Sequence, residues 1–209
     1  MLKKKRRKER RYRVIKRALD LIFSVVLLIF LALPMLFLGL AIRITSRGPA
    51  IFRQLRVGRD GVLFVCFKFR TMVEDAPHDR PSAELRNGNY VTPIGRFLRR
   101  TSLDELPQLF NVLRGEMSLV GPRPLIPCEE EVHALRRRSG ADRVRPGITG
   151  LSQIRGRDFL SGREKARLDA RYARTLHLGG DLRIVLETLA GIFSGKDVFS
   201  DQSAKSFQK

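Results

Sequence analysis

The chain has no tryptophan, only three tyrosines, two cysteines and three histidines among its 209 residues. So few aromatic platforms argue against a protein that stacks single-stranded bases. Cys66 and Cys128 cannot build a disulfide framework, which fits a reducing compartment. Neither they nor His78, His133 and His177 fall at zinc-ligand spacing, so a zinc enzyme is disfavoured. Acid is scarce as well: 21 Asp and Glu face 41 Lys and Arg, a net charge of +20. An excess of that size calls for an anionic partner, whether nucleic acid, lipid head groups or phosphorylated substrates. What the chain does have is 43% hydrophobic content, enough for about one domain with a real core.

The charge is unevenly placed. Eleven Lys and Arg against Glu9 alone put half of the +20 into residues 1–17. Soon after, Leu21 to Ile42 runs for 22 residues without a charge, about 33 Å of helix and just enough to cross a bilayer core. A cleaved signal peptide fits poorly, because the run is too long, the basic block too large and no small-x-small site follows. Arg43, Arg47, Arg53, Arg56 and Arg59 follow the run just as the basic block precedes it, so both ends read as cytoplasmic. Pro34 removes a backbone hydrogen bond mid-segment and predicts a bend near Phe30 to Leu33. Two readings stand: a re-entrant helix-break-helix that dips into one leaflet and returns, and a single kinked crossing helix.

Beyond the anchor the pattern is that of one small cytosolic α/β domain. Ile51 to Val57 and Val62 to Phe69 are apolar runs separated by Gly58-Arg59-Asp60-Gly61, a β-hairpin signature. Glu74 to Asn89 reads as a polar loop. Arg96 to Arg100, Leu106 to Leu113, Arg163 to His177 and Asp181 to Phe193 are helical in pattern, with Gly115 as a stop. In the last of these Leu182, Val185, Leu189, Ile192 and Phe193 share a face, suited either to the core or to a membrane surface. The organisation expected is therefore a basic arm (1–17), a membrane segment (18–43), a folded cytosolic domain (44–194) and a polar tail (195–209).

The densest chemistry lies in Thr101 to Leu113. Asp104 and Glu105 sit at a predicted helix start, where Ser102 with Glu105 forms a capping-box pattern and Asp104 is an alternative cap. Such a place also welcomes phosphate. Arg96, Arg99, Arg100, Arg114 and Arg123 surround the pair, and arginine forks suit phosphate. Gly121-Pro122-Arg123-Pro124 holds Arg123 between two residues of fixed φ, and Arg145-Pro146-Gly147-Ile148-Thr149-Gly150 repeats the theme. An anionic-ligand site is the better reading of the whole. A membrane-tethered, non-catalytic polyanion-binding protein is the competing one.

These residues carry a resemblance. From about Lys16 to Phe193 the chain resembles the bacterial sugar transferase family, small monotopic phosphoglycosyl transferases. The likeness rests on Phe67-Lys68-Phe69-Arg70-Thr71-Met72, Ser102 to Leu113, Gly115 to Leu125, and Val144 to Gly150 with Gln153 and Gly156-Arg157. It implies a re-entrant anchor broken near Pro34, although Leu33 stands where such proteins often carry serine. It implies transfer of a phosphosugar from a UDP-sugar to polyprenyl (undecaprenyl) phosphate at the cytoplasmic face of a bacterial inner membrane. Asp104 is then the nucleophile and Glu105 its helper carboxylate, with Mg²⁺ on Asp104 and Glu105. Lys68, Arg99, Arg123 and Arg145 are the candidates for phosphate contacts. Anionic membrane lipid is an expected partner, nucleic acid is not, and a homo-oligomer is compatible with the sequence.

Overall fold

The computed structural model describes residues 2–77, 90–156 and 159–193. Most of the loop expected over Glu74 to Asn89, Arg157 of the family motif, and the tail 195–209 therefore lie outside the described residues. Helix α1 (Leu2–Thr45) is followed by strands β1 (Ile51–Val57) and β2 (Leu63–Phe69), then helices α2 (Pro93–Thr101) and α3 (Gln108–Arg114). Strand β3 (Ser118–Val120), α4 (Glu130–Ser139), β4 (Gly147–Thr149), α5 (Leu151–Ile154), α6 (Gly162–Arg174) and α7 (Leu178–Phe193) complete the chain.

The expected hairpin is present: β1 and β2 pair antiparallel from Ile51 opposite Phe69 to Val57 opposite Leu63. A second ladder was not foreseen, the parallel pairing of β3 with β4. The domain thus mixes helices with two small two-stranded sheets. Its core divides into neighbouring clusters. Phe64 and Cys66 of the hairpin pack on Val112 and Met117, while Val120, Tyr172 and Ile184 join β3 to α6 and α7.

Helix α1 departs from the expectation at one point. It runs unbroken from Leu2 to Thr45 with Pro34 inside it, and proline does not divide it into two elements. A proline removes one hydrogen bond and bends a helix, and the surrounding apolar turns keep theirs. Its polar first part is stapled to the domain. Asp20 accepts from Ser118 Oγ at 2.8 Å and Leu119 N at 3.2 Å, and Asp181 accepts from Tyr12 at 2.7 Å and meets Lys16 at 3.0 Å. Its last part returns to the same domain: Ile42 is fully buried with Phe69 and Leu98, and Met35 and Leu38 pack beside them. Between these contacts Ile29, Phe30 and Leu33 are 70%, 77% and 66% exposed.

The stripe predicted on α7 is split. Ile184 and Val185 enter the core, whereas Leu182, Leu186 and Leu189 remain exposed. The apolar surface of α7 is therefore wider than one face.

Candidate active site

The hairpin determines where Lys68 goes. Side chains alternate along a strand, so Phe64, Cys66 and Lys68 share the face that covers α3. Phe64 and Cys66 fill the core beneath it, and Lys68, at the open end, brings Nζ to 3.1 Å from Glu105 Oε1. Asn111, fully buried on α3, fixes this packing. Its Nδ2 donates to Val65 O at 2.7 Å and its Oδ1 accepts from Phe67 N at 3.0 Å.

The carboxylate turn is held from the other side by α2. Thr92 caps that helix, accepting from Gly95 N at 3.0 Å, and its own N–H donates to Thr71 O at 3.0 Å. A Cβ on Gly95 would stand 2.0 Å from Thr71 O, so only glycine permits this approach. Arg99 donates from Nε to Thr71 Oγ1 at 2.9 Å. Where α2 ends, Ser102 takes φ +56°, and the chain turns into a single 3₁₀ turn, Leu103–Glu105. The capping reading is thereby corrected. Ser102 closes α2 as a left-handed cap and makes no side-chain cap bond, while α3 begins only at Gln108, behind Pro107. Proline is at ease at a helix start, so the helix forms after it and the acids stay in the turn. A non-glycine residue at positive φ costs about 1–2 kcal/mol. Asp104 and Glu105 are 7% and 5% exposed.

The two arginine-bearing turns lie back to back. Gly121 N donates to Thr149 O and Gly147 N to Pro122 O, each at 2.9 Å. Their arginines diverge. Arg123 reaches Glu105 Oε1 with Nη1 at 3.2 Å, so one carboxylate oxygen takes both Arg123 and Lys68. Arg145 instead donates from Nε to Gly115 O at 2.9 Å, at the far end of α3. Seven residues of α3 put about 10 Å of helix between that point and the acids. The structure thus gathers Asp104, Glu105, Lys68 and Arg123, holds Arg99 against Thr71, and sets Arg145 apart. Sequence reasoning missed Arg56, a buried guanidinium that donates to Pro124 O at 3.0 Å and so steadies the Arg123 turn. Burial, and after it the Arg123 guanidinium, pulls Arg56 below the ordinary arginine value. Its one visible signal was an arginine in the register of Phe52, the inward face of β1.

The donor set fits Mg²⁺. Asp104 and Glu105 offer adjacent hard oxygens, and among the described residues no cluster of three or more His, Cys, Asp or Glu is placed to cage a metal. Mg²⁺ is commonly held by one or two carboxylates plus waters and substrate phosphates.

A buried carboxylate pair, one member of which is bridged to two cations, on an α/β domain carrying a long apolar helix, suits a membrane-associated protein with a site for a charged ligand. The family model described as bacterial sugar transferase matches residues 11–195, and the chain belongs to that family. It is similar to the UDP-glucose:undecaprenyl-phosphate glucose-1-phosphate transferase of Caulobacter vibrioides, at 42% identity over 88% of this chain and 72% of that protein. The exopolysaccharide production protein ExoY of Rhizobium meliloti is 39% identical over 85% of this chain and 84% of its own length. The undecaprenyl-phosphate galactose phosphotransferase of Salmonella typhimurium is 39% identical over 86% of this chain, which spans 40% of that longer protein.

Proposed function

We propose that the protein is a phosphoglycosyl transferase that moves a sugar phosphate from a UDP-sugar to undecaprenyl phosphate, as the names of its relatives describe for them. The observation that carries the reading is Glu105 fixed between Lys68 and Arg123 one residue from Asp104. Asp104 attacks the β-phosphorus of the UDP-sugar. The bond from that phosphorus to the bridging oxygen breaks, UMP leaves with the oxygen, and an aspartyl phosphosugar remains. A phosphate oxygen of the lipid then attacks the same phosphorus, the aspartyl bond breaks, and the Asp104 carboxylate is restored. Lys68 and Arg123 neutralise charge on the transferring phosphoryl group, and Arg99 adds to them from the edge. Asp104 and Glu105 would hold Mg²⁺, which when bound supplies further neutralisation of the diphosphate. A non-catalytic polyanion binder would have no use for a carboxylate pair buried among these cations.

The same reading places α1 as a re-entrant helix on the cytoplasmic face of the bacterial inner membrane. Two observations support it: both parts of α1 pack on one domain, and the exposed stretch between Ser24 and Met35 is about 16 Å of helix, half a bilayer core. The exposed leucines of α7 are suited to the interface beside it. With UDP-sugar and Mg²⁺ but no lipid acceptor, the enzyme is expected to release UMP in a stoichiometric burst and to gain a phosphosugar's mass at Asp104. Asp104→Asn loses both. UMP release that requires the lipid acceptor, with no adduct by intact-protein mass spectrometry, would mean direct attack by the lipid and leave Asp104 a metal ligand.

A further inference from the structure

Arg145 does not idle where the structure puts it. It lines a cavity of about 50 Å³ between the start of α1 and the Arg145-Pro146-Gly147 turn, away from Asp104. The walls carry six basic side chains, Arg13, Lys16, Arg17, Arg59, Arg143 and Arg145, against one acid, Asp20. That acid is already engaged by Ser118 and Leu119. Lys16 has Asp181 at 3.0 Å and Arg59 has Asp60 at 3.0 Å. Arg13, Arg17, Arg143 and Arg145 have no carboxylate partner among the described residues.

Two of these cations are preorganised. Arg17 donates to Val112 O at 2.7 Å and Leu113 O at 3.2 Å, and Arg145 Nε to Gly115 O at 2.9 Å, so the carbonyl end of α3 orients both. The terminal amino groups of Arg145 keep no acceptor among the described residues. Burial, then the guanidiniums of Arg59 and Arg17, lower Arg145 from its usual value, the sign expected of a like-charge cluster lacking an anion. Size narrows the occupant: about 50 Å³ admits roughly three or four water-sized groups, the bulk of one tetrahedral phosphate and not of a sugar nucleotide. Position narrows it further. Lys16 and Arg17 stand one to two turns before Ile22 and Phe23, which are 57% and 52% exposed, so the cavity borders apolar helix surface.

We propose that this cavity is a second, non-catalytic site that binds the phosphate of one anionic phospholipid and seats the enzyme at the head-group level. The choice of a lipid rests on the membrane placement of α1 proposed above; the anion chemistry does not. Such a site differs from diffuse attraction of the basic arm, because it saturates and depends on particular arginines.

The test uses the full chain in neutral detergent, titrated calorimetrically with dihexanoyl-phosphatidylglycerol, dihexanoyl-phosphatidylcholine and inorganic phosphate. One phosphatidylglycerol per chain is expected, bound more tightly than the other two. Arg13 and Arg143 make no hydrogen bond or ion pair among the described residues, so Arg13→Gln/Arg143→Gln leaves the fold intact. It should weaken binding about thirtyfold, the weight of two near-surface cations. Arg145→Gln should weaken it further, and neutralising Lys3 to Lys8 should change it less than about threefold. Unsaturable binding, or equal loss from the Lys3 to Lys8 variant, overturns the site; tighter binding of inorganic phosphate overturns the lipid as its ligand. Asp104→Asn keeps lipid binding while losing transfer, and flotation on neutral vesicles scores the seating of α1 by itself, so a failure of the enzyme reading or of the topology is told apart from a failure here.

Discussion

Glu105 Oε1 accepts from Lys68 and Arg123 together, at 3.1 and 3.2 Å, in a pocket where all three side chains are largely covered. Glu105→Gln leaves two cations facing each other with half of their tether gone. The freed charge still attracts a diphosphate, but its placement is lost, and misplacement of about 1 Å costs about 100-fold in rate. Steady-state kinetics should therefore show kcat lowered about 100-fold with KM for the UDP-sugar unchanged or reduced. A raised KM at unchanged kcat would make Glu105 a substrate-binding group instead. At this scale much of the site was legible. The adjacent acids, the lysine in the strand and the arginine between two prolines each had a chemical reason visible in the chain. Arg145 was not, because Pro146 and Gly147 fix the shape of a turn but not which end of α3 its arginine meets. Ser102 was misread for a related reason: its pattern suits a cap, but the end of α2 claims the residue before α3 begins.

Among the elements, α1 is attached through buried polar groups. Tyr12 and Tyr172 both donate to Asp181, at 2.7 and 2.8 Å. Burial, and after it the charge of Asp181, pushes both phenols far above the ordinary tyrosine range. Folded, they keep their protons at alkaline pH, whereas in the unfolded chain they lose them near pH 10. The unfolded state then binds fewer protons, so this contribution is complete below about pH 10 and falls as pH rises beyond it. Tyr12→Phe should cost about 1 kcal/mol at neutral pH and give a shallower loss of thermal stability between about pH 10 and 11. An unchanged alkaline slope would remove Tyr12 from the staple's titration. The hairpin, α2, α3, α6 and α7 were readable because their apolar periods run for whole turns or strands. Strands β3 and β4, three residues each, are too short to show a period, and α4 is masked by its run of Arg136, Arg137 and Arg138 with only Val132 and Leu135 at helical spacing.

At the scale of the whole molecule the question is which side of a membrane each end of α1 occupies. From Asp20 to Ile42 the helix is about 33 Å long, slightly more than an acyl core of about 30 Å, so length alone allows a crossing. Packing opposes it. Asp20 is bonded to Ser118 and Leu119, and Ile42 is buried against Phe69 and Leu98, all on one folded domain that cannot stand on both faces of a bilayer. A crossing helix would have to give up one set. Releasing the first breaks the bonds of Asp20 to the Ser118 hydroxyl and to the Leu119 N–H, at about 1–3 kcal/mol for each buried group left unpaired. Releasing the second exposes Ile42, Phe69 and Leu98, each worth about 1.5–3 kcal/mol of burial. Sequence alone left crossing and return open because flanking charge and a proline speak to preference, and the contacts that favour return join residues some 100 and 30 positions apart. Lys3→Cys and Arg47→Cys, each made in a Cys128→Ser background, should both resist a membrane-impermeant maleimide in intact cells and both react after lysis. Labelling of Lys3→Cys alone in intact cells would establish a crossing helix, and labelling of both would keep the same-side topology while moving the domain to the outer face.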